Sequence, residues 1–339
     1  MNRKFVLTTF FLTILMGTLA LSFNVQEAKA SGTIYIRADG RIDPPDAPIS
    51  TFDNVTYTLT GNIISDAHGI FLERSNMTLD GAGFTLLGTR NGTGIYMNGR
   101  SNVTVIDTTV NNFTFGFSLG DSFYNNIIAN NITNNEYAII DVGSWFYPSN
   151  NNITANNITA NNEGIDLSHS SNNTITGNNI TAGFDVAILL TFSSNYNSIS
   201  QNNIANNGKG IWLHESSNNS IVSNNFVNNT QQVYVEKSGY TNFWDSSYPS
   251  GGNYWSNYTG IDLHSGQYQN VTGSDGVGDT PQIIDANNID HYPLMTPYII
   301  PEFPIFFILP LFIMVTLLAV IVHRKRGIKI RKTNSDDAI

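Results

Sequence analysis

Three sets of side chains in this sequence could do chemistry. The first is a sparse set of carboxylates. Asp166, Asp185 and Glu215 stand in a stretch otherwise dominated by Asn, Ile, Ser and Thr. Two carboxyls roughly 6.5–9.5 Å apart can invert a glycosidic bond, one donating a proton while the other activates water. The second set is aromatic: Tyr96, Trp145, Tyr147, Trp212 and Tyr234. Flat rings of this kind stack on the apolar faces of sugars. The third set is Asp262, Asp275, Asp279 and Asp285, two of them inside the glycine-rich run SDGVGDT. Carboxylates on such a loop suit a hard cation, so a structural calcium is one reading and no cofactor is assigned. The competing reading is a turn held by Asp-to-backbone hydrogen bonds. The spacing is too short for an EF-hand, and no bidentate Glu follows. Copper would need thiolate or imidazole ligands. The chain has no Cys, and its five His between residues 31 and 302 (His68, His169, His214, His264 and His291) form no H-x-H pair.

What positions these groups is a repeat. Residues 151–162 read NNITANNITANN. Asn is a poor helix former and is depleted in strands, so the tract alone suggests disorder. The returning isoleucines argue otherwise. Aligned on its apolar residue, the NN-apolar unit recurs at Phe84, Val110, Ile132, Ile158, Ile180, Ile204 and Phe226. Seven positions later comes a second apolar residue, at Phe117, Ile139, Ile165, Ile211 and Val233, with Ile188 at eight. Five positions before comes a third, at Leu79, Val105, Ile127, Ile153, Ile175, Ile199 and Ile221. Three short apolar segments per period of 22 to 26 residues predict three strands and three turns. That is one coil of an all-β parallel solenoid, each coil pairing with the next at about 4.8 Å over a continuous apolar interior. Asn tolerates the left-handed backbone such turns need, and stacked amides can bond along the axis.

This alignment places Tyr96, Ser118, Ile140, Asp166, Leu189, Trp212 and Tyr234 in one outward column. Only one carboxylate falls there. Asp166 and the strand before Glu215 are two coils apart, about 10 Å along the axis, and Asp185 lies at the edge of a turn. Solvated turn carboxylates are therefore the expectation, with Asp166, Glu215 and Asp185 kept as the catalytic candidates. Binding through Tyr96, Trp212 and Tyr234, beside the insertion that carries Trp145 and Tyr147, is the better-supported use of this face. Asp141 falls near an inward position, either buried or marking a slip of register.

The ends of the chain bound the folded region. Residues 1–30 combine Arg3 and Lys4, an apolar run and an Ala28-Lys29-Ala30 end, which reads as a secretory signal peptide. Residues 304–322 form an apolar run of membrane-spanning length, followed by a basic tail over 323–339 that should stay cytoplasmic. Between them, residues 31–55 are expected to form an N-terminal strand and cap, 56–236 the coils, and 237–297 a C-terminal cap and stalk. Residues 31–302 hold 23 Asp or Glu against 7 Lys or Arg, a net charge of −16. So acidic a surface excludes nucleic acid as a partner. Fourteen N-x-S/T sequons lie in the same region. Many of them are expected in stacked turns, where a glycan would disrupt the ladder.

Three stretches carry a resemblance. GTIYIRADGRIDPPDAPI (32–49) is similar to the N-terminal signature of exported archaeal right-handed β-helix proteins. GGNYWSNYTGIDLHSG (251–266) and SDGVGDTPQIIDANNIDHYPLM (274–295) resemble their C-terminal signature. The coils between resemble the NosD-type β-helix, or CASH domain, of carbohydrate-binding proteins and sugar hydrolases. The resemblance implies a right-handed parallel β-helix outside the cell, and family names invoke copper delivery, sugar binding or sugar cleavage. PEFP before the apolar run resembles archaeal sorting signals, so the anchor is either a retained helix or a lipid that replaces it. The expected protein is a surface-anchored module that binds extracellular polysaccharide or serves the surface layer structurally. The alternatives are a polysaccharide lyase, hydrolase or epimerase, and a metal-handling protein.

Overall fold

The short apolar segments form strands, and the strands stack. The computed structural model describes residues 29–30, 32–143, 149–237 and 239–300. The leader to residue 28, the Trp145–Tyr147 insertion, the 304–322 span and the basic tail lie outside the described residues. Two sheets of ten strands and one of nine run along the solenoid, and each coil adds one strand to each sheet. The coil from residue 126 is typical. Asn126–Ile128 joins the nine-stranded third sheet, Asn131–Thr133 the first sheet and Tyr137–Val142 the second. Among the described residues there is no α-helix, and none is long and apolar enough to cross a membrane. Residues to Tyr298 make one unit; the other, from Ile299, lies almost wholly outside the described residues.

The register follows the sequence columns closely. In the first sheet Val110, Ile132, Ile158, Ile180, Ile204 and Phe226 stack in parallel pairs. In the third sheet Leu79, Val105, Ile127, Ile153, Ile175, Ile199 and Ile221 do the same. In the second, Phe117, Ile139, Ile165, Ile188, Ile211 and Val233 pair in turn. Phe84 needs correction. Leu86, not Phe84, pairs with Val110 and is buried, because the Gly81-Ala82-Gly83 turn holds Phe84 two residues short of the stack.

The asparagines divide their labour within each pair. At two corners the first Asn takes positive φ, as at Asn134 (56°) and Asn172 (60°). The next residue, Asn135 or Asn173, turns inward and is buried. At the third corner the left-handed position belongs to Ala129, Ala155, Gly177, Gln201 and Ser223, and the ladder Asn again follows it. Asn178 shows the pattern of bonds. Its backbone N–H and its Nδ2 both donate to Oδ1 of Asn202 one coil on, at 2.9 and 3.0 Å, and Nδ2 also donates to the Ile153 carbonyl at 2.8 Å. The buried amides thus satisfy corner backbone groups that no strand pairs.

Antiparallel strands close the N-terminal end and aromatic rings the other. Ile34–Ile36 pairs with Ile42–Asp43, and Ile49–Thr51 with Thr56–Leu59, each at the edge of a long sheet. At the other end Trp255 stacks on the core ring of Phe226 at 4.4 Å, and Trp244 lies 5.9 Å from Trp255. These rings cover the open end of the apolar interior.

Candidate functional site

The outer face of the second sheet collects the charged and aromatic residues of the coils. Its strands bury their second and third residues together, as in Glu163–Ser168 and Lys209–His214. The second position must be small, since a Cβ on Gly164 would sit 2.3 Å from the Ala187 carbonyl oxygen. In Tyr137–Val142, Glu163–Ser168 and Lys209–His214 positions one, four and six therefore face out and form three columns, while Val186, the first residue of Val186–Thr191, is buried between Glu163 and Lys209. The middle column extends the sequence alignment at one end: Tyr35, Phe71, Tyr96, Ser118, Ile140, Asp166, Leu189, Trp212 and Tyr234 follow one another. The first column carries Phe115, Tyr137, Glu163 and Lys209; the third carries Ser168, Thr191 and His214.

Tyr96 and Trp212 share the middle column but stand five strands apart, roughly 24 Å along the axis. The ring of Tyr96 is stacked on Phe71 at 4.2 Å with His68 edge-on at 6.0 Å. Trp212 is the centre of a denser group. Tyr234 meets it edge-on at 5.4 Å, and the Lys209 ammonium lies 4.8 Å from its ring centroid. Lys209 is itself paired with Asp185 at 2.6 Å. The indole N–H donates to Oε2 of Glu236 at 3.2 Å, and the same oxygen lies 2.7 Å from Nδ1 of His214. Glu236 so fixes the His214 ring. Glu215 is engaged by Lys237, which holds its carboxyl below the usual range.

One rung set earlier, burial pushes Glu163 up to about 7, helped by the negative charges of Asp166, Asp185 and Glu136. Burial also raises Asp166 to about 6, and its Oδ1 is enclosed with no hydrogen-bond partner. Tyr137 is raised by burial and by the charges of Glu163, Glu136 and Asp166. Beside this column opens a cleft of about 400 Å³ lined by Arg90, Glu136 and Phe184 among others. Half-buried carboxyls raised toward neutrality on an outward face are suited to acid–base work or to bonding sugar hydroxyls.

Asp141 is buried and in register. It pairs with Leu167 in an inward column that also holds Leu119, Leu190 and Leu213. Ser170 Oγ and Asn151 Nδ2 donate to its Oδ2 at 2.6 and 3.0 Å, while Oδ1 has no partner. Burial lifts its pKa to about 7 despite those two donors.

The four cap aspartates do not converge. Asp262 accepts from Ser274 Oγ and from the N–H groups of Asp275 and Gly276, which lower its pKa. Asp279 accepts from the N–H groups of Leu263 and His264 and lies 2.8 Å from the His264 ring. Burial works to raise its pKa, and these contacts outweigh it to leave the carboxyl lowered. Asp275 accepts from Val277 N–H, and Asp285 from Asn287 N–H. Asp275 and Asp285 each close a turn, Asp262 and Asp279 tie residues 262–264 to residues 274–279, and among the described residues no group of three or more His, Cys, Asp or Glu could hold an ion.

The structure brings Asp185, Trp212 and Tyr234 together, leaves Asp166 two strands away and isolates Tyr96. Sequence reasoning missed Tyr137, Glu163, Lys209 and Glu236. The signal was present in NNEGIDL and NNGKGIWL, where a polar residue precedes a Gly-Ile pair. Strict alternation from the middle column puts that residue inside, whereas the double inward step puts it out.

The sequence profile of a family described as "Periplasmic copper-binding protein (NosD)" matches residues 26–180 and 141–260. Among solved structures, the periplasmic alginate epimerase AlgG aligns at 17% identity over 54% of this chain and 50% of its own, with a TM-score of 0.42. An aspartate-to-alanine mutant of AlgG aligns at 18% over the same shares, TM-score 0.44. A threonine-to-asparagine mutant aligns at 14% over 72% of this chain and 76% of that one, TM-score 0.41. The chain thus spans about half the length of the first two of these structures. No curated protein matches it.

Proposed function

The chain belongs to the NosD family, and on that premise we propose that it is an exported β-solenoid whose second sheet binds a polysaccharide chain on its outer face. The family is described as periplasmic, which agrees with export. The observation that carries the reading is the Trp212 group: an indole flanked by Tyr234, the Lys209–Asp185 pair and the Glu236–His214 pair on one flat strand face. A ring platform edged by donors and acceptors matches a sugar, whose faces are apolar and whose rim is hydroxyl. Glu163, Asp166, Asp185, Glu215 and Glu236 outnumber the nearby cations, so the polymer is neutral or carries amino groups rather than acids. The protein then works as a surface module anchored through its C-terminal segment, binding external glycan or ordering a surface layer.

Copper fits these residues poorly: Cys is absent, and among the described residues no three of His, Cys, Asp or Glu come together to hold an ion.

A titration of purified protein with neutral, amino and acidic polysaccharides tests the binding reading through Trp212 emission, taken as the difference from Trp212→Phe. Neutral or amino polymers should shift the emission, and Trp212→Ala should bind about tenfold more weakly, equivalent to about 1.4 kcal/mol. Unchanged emission across the panel overturns it. The raised Glu163 and Asp166 favour a second reading, sugar cleavage or epimerisation. That reading requires product in the same mixtures and its loss in Glu163→Gln.

A further inference from the structure

The fourteen sequons are sorted by the fold. None coincides with a buried ladder Asn such as Asn130, Asn156 or Asn178, and none lies in a strand of the second sheet. On the first-sheet strands Asn157 and Asn179 are committed through Nδ2, and Asn131 through its Oδ1 alone. Asn157 Nδ2 donates to Asn131 Oδ1 at 2.9 Å, and Asn179 Nδ2 to Asn157 Oδ1 at 2.8 Å. At a corner, Asn112 Nδ2 donates to the Gly88 carbonyl at 2.9 Å. A second group differs. Asn54, Asn76, Asn172, Asn228, Asn257 and Asn270 are exposed. Asn54, Asn76, Asn172 and Asn228 are also left-handed corner residues, and Asn76 Oδ1 accepts from Asn102 Nδ2 at 3.0 Å. None of the six donates a side-chain hydrogen bond, so substitution at Nδ2 removes nothing from the solenoid.

We infer that these six amides are N-glycosylation sites, whereas Asn112, Asn157 and Asn179 stay bare despite their sequons. The glycosyl donor is a lipid-linked oligosaccharyl phosphate. The Nδ2–C1 bond forms as the C1–O bond to phosphate breaks, and the Nδ2 proton leaves with the phosphate. A glycan on Asn157 or Asn179 would replace a hydrogen that holds adjacent coils, and its bulk would meet neighbours about 4.8 Å away. Glycans at the six sit instead on corners, on the end cap and on the N-terminal hairpin, and they leave all three flat sheets clear. Asn172 and Asn228 border the second sheet at its two edges.

Glycopeptide mapping of full-length protein from a host that glycosylates a control sequon protein is the test. The expected result is glycan on Asn172, Asn228 and others of the six, with none on Asn112, Asn157 or Asn179. Asn131→Ala, which removes the acceptor for Asn157 Nδ2, should then raise occupancy at Asn157 in secreted protein with an unchanged β-sheet spectrum. Glycan on Asn157 or Asn179 of the unaltered protein, absence from all six, or an unmoved Asn157 in folded Asn131→Ala overturns the inference. Because no sequon lies on the second-sheet face, sugar binding at Trp212 can fail without touching this result.

Discussion

A single ladder asparagine does two jobs, and each can be removed separately. Asn156 Oδ1 accepts from the backbone N–H and the Nδ2 of Asn130, both buried, while its own Nδ2 donates to the Ile127 carbonyl at 2.8 Å. Asn156→Ala strands the Asn130 N–H and takes its donor from the Ile127 carbonyl, while Asn130 Nδ2 keeps the Val105 and Ile128 carbonyls, and each buried unsatisfied group costs about 1–3 kcal/mol. At about 2–4 °C per kcal/mol for a body of this size, the thermal midpoint should fall by at least 4 °C. An unchanged melt would mean the ladder contributes nothing. The left-handed neighbour behaves in the opposite sense. Ala155 sits at φ 58°, a conformation that costs a residue with Cβ roughly 1–2 kcal/mol. Ala155→Gly relieves that strain, partly offset by the roughly 0.5–1 kcal/mol of added unfolded-state freedom. The midpoint should rise slightly, and a fall would count against this account of the corner.

At the scale of the strand, the odd residue is Asp141, an acid in a column of leucines. Its folded pKa of about 7 lies above its ordinary value near 3.8 because burial disfavours the charge. The folded protein therefore holds a proton that the unfolded chain has released between those two values. Stability must fall as pH rises from about 4 through 7, by an amount on the order of a few kcal/mol from this group. Burial-raised Glu163, Asp166 and Asp290 add slopes of the same sign. Asp141→Asn keeps an oxygen for Ser170 and Asn151 and has no charge to lose. Denaturant midpoints measured from pH 4 to 8 should decline less steeply in Asp141→Asn than in the unaltered protein; equal slopes would rule Asp141 out as a source. The strand scale also shows what the sequence could and could not reveal. Inward columns were legible because Ile, Val and Leu return at coil spacing, and Asp141 was flagged because it broke one. The Phe84 slip came from aligning on a large ring where glycines stretch the turn. Glu163 and Lys209 were invisible to a strict period of two, since the double inward step depends on a tight corner that only Gly or Ala fits. The grouping around Trp212 depends on Glu236, which follows the last second-sheet strand, and no single-column reading reaches it.

For the whole molecule, stability is nearly one-dimensional, because each coil touches only its neighbours and the ends decide how it opens. Along the ladders, each Asn N–H donates toward the C-terminus while its Nδ2 donates both forward and back, so the final coil lacks an acceptor for its N–H. The cap supplies one to each of two ladders. Asn242 N–H donates to Asn288 Oδ1 at 3.0 Å, and Asn253 N–H to Asp290 Oδ2 at 2.8 Å. Asp290 stands where another Asn would continue the ladder. A carboxylate only accepts, which is what a terminus needs, and it also receives the indole N–H of Trp255 at 2.9 Å. The ANNID stretch near the C-terminus is in this sense the stop of the array. Asp290→Ala removes the acceptor for Asn253 and Trp255 together and loosens the ring over Phe226. Hydrogen exchange followed by mass spectrometry should show protection lost first in the cap and the strands around Asn225–Val227. The loss should then diminish coil by coil, leaving Asn126–Thr133 near its original protection. Uniform loss across all coils would show instead that the solenoid opens as one cooperative block, with the cap no more decisive than any other turn.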